Sequence, residues 1–436
     1  MFTFAPDGLL KDHLLRPGAG QPLVIENVTI VDDSVGARSG PGHVVIRDGR
    51  IDQVAVGEVG TAGPSDSDAT VIDGEGGYLL PGFIDCHVHL TGLETRDPFR
   101  RNIQPYPSVR LIRAVRDAGR VLRAGFTTVR HLGHGDPDQT QAVKEAIASG
   151  LVAGPRMLTC GWAMSQTGGH GKLDPWPLDL VEHLLPRSAF VDGPDECRKF
   201  VRRQLGDGAE WIKIYATEGL VSAPEGKIDI PNYTLAEIEA ITDEAHRRGA
   251  RVAAHATGLT GAMNAVMGGA DTLEHGPHAP DDELLRRMKE SGTALVPTLS
   301  VFESAAASDI EGIPQFAADR AAGWLPGRRE MVLRAVDEGI PVAVGTDTGG
   351  PPHGGSNARE ILALTRAGLA AERAIASATA DGARAIGLES EIGRVAEGLW
   401  ADLVLWKRDP VADPEVLMDQ DAIRLIVQGS ATGRAE

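Results

Sequence analysis

The chain has 436 residues, 42% of them hydrophobic and 24% charged, which is the make-up of an ordinary folded protein too long for one simple core. Its formal net charge of −18 disfavours nucleic acid or an anionic membrane as partner. Three cysteines (Cys86, Cys160 and Cys197) are odd in number, far apart and outside any CxxC pair, so neither a disulfide framework nor a thiolate zinc site is indicated.

The first residues, MFTFAPDGLLKDHLLRPGAGQ, carry acids and no uninterrupted apolar core of signal-peptide length. No run approaches a membrane span, and the expected compartment is the cytoplasm. Residues 22–80 read as β-structure, with clustered Val and Ile and an Asp-Gly hairpin turn at Asp48-Gly49. From 81 to 390 short apolar strands alternate with helical stretches at 108–125, 139–150, 194–208 and 235–249, several closed by Gly after a basic last turn. The strand candidates are FIDCHVHL, TTVRHLG, PRMLTCGW, WIKIYA, RVAAHA, TLEHG, ALVPTLS and PVAVGTD. Eight βα units are the count of a closed parallel barrel, whose chemistry sits at the C-terminal strand ends. A doubly wound open sheet would carry a Gly-rich first turn, and no GxGxxG follows an early strand. Residues 393–409 and 422–430 return to the short-strand grammar of the N-terminus. The expected fold is thus α/β: a (β/α)8 TIM barrel over 81–395, with a small β-sandwich domain made from 1–80 plus 396–436.

His87 and His89, in GFIDCHVHL, lie two residues apart on a predicted strand and so point the same way. Two imidazoles aimed at one point form half of a metal site. Among 13 histidines an isolated HxH means little, but Lys213, His255, His275 and Asp347 each end a further short apolar run. All six residues fall at predicted strand ends, on five strands.

In the order HxH, Lys, His, His, Asp, these residues resemble the binuclear amidohydrolase superfamily, as do the PGFIDCHVH opening and the closing ADLVLW segment. SQTGGHG (165–171), IKIYATEGLVS (212–222), NYTLAEIEAITDEAHRRG (232–249) and GTDTGGPPHGGSNARE (345–360) are similar to the prolidase-related, Xaa-Arg dipeptidase and ochratoxin-amidase branch. The resemblance implies two divalent metals, Zn being the first expectation, although carbamate, His and Asp also suit Mn, Co or Fe. His87, His89 and Asp347 would serve one metal and His255 and His275 the other. Lys213 would be carbamylated and bridge them, because a protonated ammonium has no lone pair to offer. The implied reaction is attack of a metal-bridging hydroxide on an amide bond, with Asp347 as general base and then acid.

By the same resemblance His170 and Tyr233 hold the substrate's carbonyl or carboxylate, and His170 is a second catalytic candidate. His353 is a loop histidine that either touches substrate or orders a Gly-rich turn. For the His131/His134 pair, which lacks carboxylate company, a structural or outer-pocket role is favoured. Thr91 stands where many cyclic-amide hydrolases place Arg, which argues against a dihydroorotase-like activity. Glu218-Gly219 replaces the branch's usual Gly-Gly and leaves a carboxylate at the pocket edge or facing solvent.

The expected activity is cleavage of a dipeptide or N-acyl amino acid. Cyclic amides, carbamates and organophosphate esters are the alternatives, and a non-catalytic scaffold is the remote one. A mononuclear deaminase has no need of Lys213 as a ligand. The expected partner is a small amide substrate, without nucleic acid or membrane, bound by a homo-oligomer.

Overall fold

Asp48 and Gly49 both take positive φ (50° and 76°), as a type I′ turn requires, and Arg47 pairs with Arg50 across them. The computed structural model describes residues 14–17, 20–32, 39–57, 69–91, 106–133, 135–172, 177–179, 188–221, 228–310, 312–348 and 355–429. The hairpin belongs to an N-terminal series β1 (Leu14–Leu15), β2 (Leu23–Ile30), β3 (Ser39–Arg47), β4 (Arg50–Val56) and β5 (Thr70–Pro81). Then come β6 (Phe83–Val88), β7 (Phe126–His131), β8 (Arg156–Thr159), β9 (Ala163–Ser165), β10 (Ser188–Phe190), β11 (Trp211–Tyr215), β12 (Arg251–Ala256), β13 (Thr272–His275) and β14 (Ala294–Val296). Interleaved with them are helices α1 (Pro107–Arg123), α2 (Pro137–Ala148), α3 (Pro194–Gly206), α4 (Leu235–His246), α5 (Leu259–Met267) and α6 (Asp282–Ser291). Beyond β14 lie α7 (Leu299–Ala306), α8 (Gln315–Asp337), α9 (Arg359–Ala367), α10 (Ala371–Ser377) and α11 (Ala380–Ile386), and the chain closes with β15 (Leu403–Trp406) and β16 (Ile423–Val427). Local signals set several ends. Thr234 and Glu237 form a capping box on α4, and α6 runs from an Asp281 cap to Gly292 in the left-handed conformation. No helix among the described residues is long and apolar enough to cross a membrane.

The two ends of the chain share one connected seven-stranded sheet, in the order β1-β16-β15-β5-β2-β3-β4. Its strands alternate between two cores. Leu79, Leu403, Leu405 and Val427 pack with Leu23, Ile25, Val44 and Ile46. Leu80, Val404, Trp406 and Ile426 turn the other way, into the large core that holds Phe83 and Phe126. A buried ion pair ties this sheet to β8: Arg156 Nη1 lies 2.5 Å from Asp402 Oδ2. Asp402 also accepts from Gly429 N at 3.0 Å, and its carbonyl from Gly82 N at 2.7 Å. Asp402→Ala would strand the Arg156 charge, and removing one partner of a buried pair typically costs about 3–5 kcal/mol. The expected result is a loss of that order in chemical denaturation. An unchanged midpoint would show that packing alone holds the junction.

The parallel strands run β6-β7-β8 and β10-β9-β11-β12-β13-β14. Glu210 N donates to Thr159 O at 2.9 Å, linking the end of β8 to the start of β11. Residues 341–348, expected as the last strand, pair only through isolated bridges, Leu295 with Val342 and Val88 with Thr348. That segment nevertheless bonds to both neighbours. Leu295 N donates to Pro341 O (2.8 Å) and Ala343 N to Leu295 O (2.9 Å), while Cys86 N donates to Val344 O and Asp347 N to His87 O, both at 2.8 Å. The positive φ of 54° at Asp347 interrupts its pleat. Strands β9 and β10, three residues each, were not among the sequence candidates.

Candidate active site

Strand alternation puts His87 and His89 on one side of β6, with Cys86 on the other, where its Sγ faces Gly382 O on α11 at 3.7 Å. His87 Nε2 and His89 Nε2 lie 3.2 Å apart. Asp347 Oδ1 is 3.0 Å from the His89 nitrogen and 3.5 Å from the His87 nitrogen. The opposite ring nitrogens are engaged: His87 Nδ1 with Glu274 Oε2 at 2.7 Å and His89 Nδ1 with Gly133 O at 3.0 Å. Both partners are acceptors, so each Nδ1 carries the proton and each Nε2 presents a lone pair. Two lone pairs and a carboxylate oxygen, all within 4.8 Å of one another, suit a cation at their centre.

A second group adjoins the first. The His275 ring centroid is 5.1 Å from that of His87 and 4.6 Å from that of His255. His255 Nε2 faces Glu218 O at 3.3 Å and His275 Nδ1 faces Thr298 Oγ1 at 2.7 Å. Glu218 O can only accept, so His255 Nε2 carries the proton and its Nδ1 presents a lone pair, whereas the Thr298 hydroxyl suits either tautomer of His275. Burial depresses the pKa of His87, His255 and His275 well below the usual imidazole value, which keeps them neutral. Lys213, on β11, is buried, and its Nζ has no hydrogen-bond partner among the described residues. Burial draws its pKa down to about 8. Burial would raise the pKa of Asp347, but its contacts with the His89 and His87 side chains and the nearby Lys213 ammonium hold it below the usual carboxylate value.

Three supporting residues escape sequence reading. Glu274 orients His87 and is itself gripped by Arg130 Nη2 at 2.7 Å. Arg130 also donates to Cys86 O at 2.6 Å and to Thr272 Oγ1 at 3.0 Å, crossing between strands under the site. Asp85 accepts from His87 N (3.0 Å), Thr346 Oγ1 (2.7 Å) and Asn357 Nδ2 (2.7 Å), yet burial still pushes its carboxyl up to about 6.

The other candidates divide. His170 stacks on His255 at 4.4 Å and meets Tyr215 at 4.7 Å, so it borders the histidine group. A Cβ at Gly219 would sit 2.3 Å from His170 Cε1, so glycine there is what lets the ring lie close. Glu218 brings its carboxylate within 3.9 Å of His170 Nδ1. Tyr233 is buried and its hydroxyl donates to Val191 O at 3.2 Å; the tyrosine the structure sets against the histidines is Tyr215. His131 is also buried, and its Nε2 is shared with Thr91 Oγ1 at 3.2 Å. His134 and His353 lie outside the described residues.

The amidohydrolase family model matches residues 78–431. Ochratoxinase of Aspergillus niger is 30% identical over 367 residues, covering 80% of this chain and 74% of that protein. A solved Xaa-Pro dipeptidase with bound methionine superposes with a TM-score of 0.84 at 30% identity, covering 94% of this chain and 98% of that one. A prolidase complexed with N-methylphosphonate-L-proline gives 0.83 at 31% identity, with the same coverage. The chain belongs to the amidohydrolase family and is a hydrolase of carbon–nitrogen bonds.

Proposed function

We propose that this protein is a binuclear metal-dependent amidohydrolase that cleaves the amide bond of a dipeptide or N-acyl amino acid. In it β6, β7, β8, β11, β12, β13, β14 and residues 341–347 are the eight strands of a (β/α)8 barrel over 81–395, and 1–80 plus 396–436 form a composite β-sandwich domain. The backbone bonds of 341–348 to both Leu295 and the β6 segment support it. One observation carries the site: His87, His89 and Asp347 converge beside His255 and His275, and the buried Lys213 Nζ next to them has no partner.

The donor set fits two divalent ions, Zn first. His87, His89 and Asp347 would hold one and His255 and His275 the other, with Lys213 between. Such ions, when bound, lower the pKa of a coordinated water from about 16 toward 7 and polarise a carbonyl. Lys213 joins the ligands by adding its neutral amine to carbon dioxide, forming an N–C bond and releasing a proton to give a carbamate. The depressed ammonium pKa favours the neutral amine that this addition needs. Asp347 accepts the proton of the attacking water on a carboxylate oxygen and returns it to the leaving amine. Glu274 and Gly133 fix the tautomers and tilt of His87 and His89. His170, stacked on His255, borders the place where the substrate carbonyl or carboxylate would rest. Tyr233 would have to release Val191 to join it.

The relatives named for ochratoxin, Xaa-Pro dipeptide and prolyl substrates support an acyl group joined to an amino acid as the substrate class. The test is a screen of metal-loaded protein against dipeptides, N-acyl amino acids, cyclic amides, carbamates and phosphotriesters. Release of a free amino acid from members of the first two sets is expected. Turnover confined to the other sets, or protein that takes up no divalent ion, would overturn the reading.

A further inference from the structure

Arg328, on α8, is buried with 1% of its surface exposed, yet among the described residues no carboxylate faces it. Its Nη1 donates to the carbonyl of His275 at 2.8 Å, while Nε and Nη2 have no hydrogen-bond partner among the described residues. The guanidinium lies 3.7 Å over the Phe302 ring and 5.4 Å from that of Trp324. Cation–π contact offsets part of the cost of burying a lone charge, but removing a guanidinium from water without a counter-ion remains expensive. Such a group persists where something else depends on it.

The dependent group is at the other end of the hydrogen bond. His275 has φ of 70°, in the left-handed region that a residue with a side chain enters only at a conformational cost. Thr298, which faces His275 Nδ1, is also left-handed at 49°. At Gly327, beside Arg328, a Cβ would fall 2.1 Å from His278 O, so α8 presses directly on the segment that follows His275.

We propose that Arg328 is a positioning residue that locks the His275 peptide in its left-handed conformation and thereby fixes the imidazole for the second metal. The inference rests on the binuclear reading above. It has a signature that ordinary packing lacks, because removing the charge relieves a stability cost while loosening a ligand.

The experiment measures Zn affinity at both sites of the wild type, R328M and R328K by competition with a chromophoric chelator, then thermal melting of the fully chelated proteins. R328M is expected to hold one ion as the wild type does and the other at least about tenfold more weakly, within the 10–100-fold range for loss of a residue that orients a ligand. Chelated R328M should melt at or above chelated wild type, and R328K should fall between the two in affinity. Wild-type affinity at both sites in R328M would overturn the proposal. So would equal weakening of both sites with a lower melting temperature, which would mark a packing role. If R328M does not fold, R328K decides, with weakening confined to one site in favour and unchanged affinity against. Wild-type protein that takes up only one ion would overturn the binuclear reading itself, a failure visible before any substitution is compared.

Discussion

Asp347→Asn is expected to lower kcat by about 10²–10⁴-fold, the usual worth of a general acid–base group, while most of the metal stays bound. Asparagine keeps the shape and one weak oxygen ligand but cannot accept a proton. Burial would raise the wild-type carboxylate's pKa, but its contacts with His89 and His87 and the nearby Lys213 ammonium hold it below the ordinary value, so it is ionised at neutral pH. As pH falls, the rate should drop with protonation of Asp347 and the attacking water as a coupled unit, at an apparent pKa belonging to neither alone. That acidic limb should change in the variant. A near-wild-type kcat in Asp347→Asn, on any substrate that the wild type turns over well, would exclude Asp347 as the base and make His170 the next candidate.

Lys213→Ala should lose at least one of two bound ions and nearly all turnover. No neighbouring side chain takes up the buried Nζ as a hydrogen-bond partner, which makes this lysine hard to explain as a structural salt bridge. Short carboxylates such as acetate or propionate should restore part of the activity by occupying the space of the lost carbamate. Metal content by elemental analysis and activity with and without added carboxylate check this. Full metal occupancy together with unaltered turnover in Lys213→Ala would exclude the bridging role.

The sequence was most legible where period-two alternation operates. His87 and His89 converge at the end of β6 on the side opposite Cys86, although the pairing of β6 with β7 shifts register there, and the Asp48-Gly49 turn forms because both residues tolerate positive φ. It was least legible where the backbone departs from the pleat. Glu274 precedes His275, so alternation alone would send it away from the metal-binding face. The left-handed turn at His275 lets both neighbours serve one cluster, the carboxylate on His87 and the imidazole beside His255. Residues 341–348 read as an ordinary strand, yet positive φ at Asp347 breaks the ladder where the carboxylate must turn inward. Tyr233 was chosen by resemblance to a motif rather than by geometry, and in the fold its hydroxyl is committed to a backbone carbonyl. Arg328 lies on a helix 53 residues after the carbonyl it grips, a separation no local pattern reports.

The seven-stranded sheet has a consequence for biosynthesis. β5 is an interior strand, flanked by β2 from its own end of the chain and by β15 from the other. When β5 leaves the ribosome, its partner on one side is still 321 residues from being made. At about 5–20 residues per second that edge stays open for roughly 15–65 s, a row of unpaired backbone donors and acceptors beside the buried-to-be Leu79 and Leu80. The nascent chain is therefore most exposed to wrong pairing with its neighbours on a polysome during translation of the entire catalytic region, and it becomes safe only when Leu403–Trp406 arrives to cap the edge.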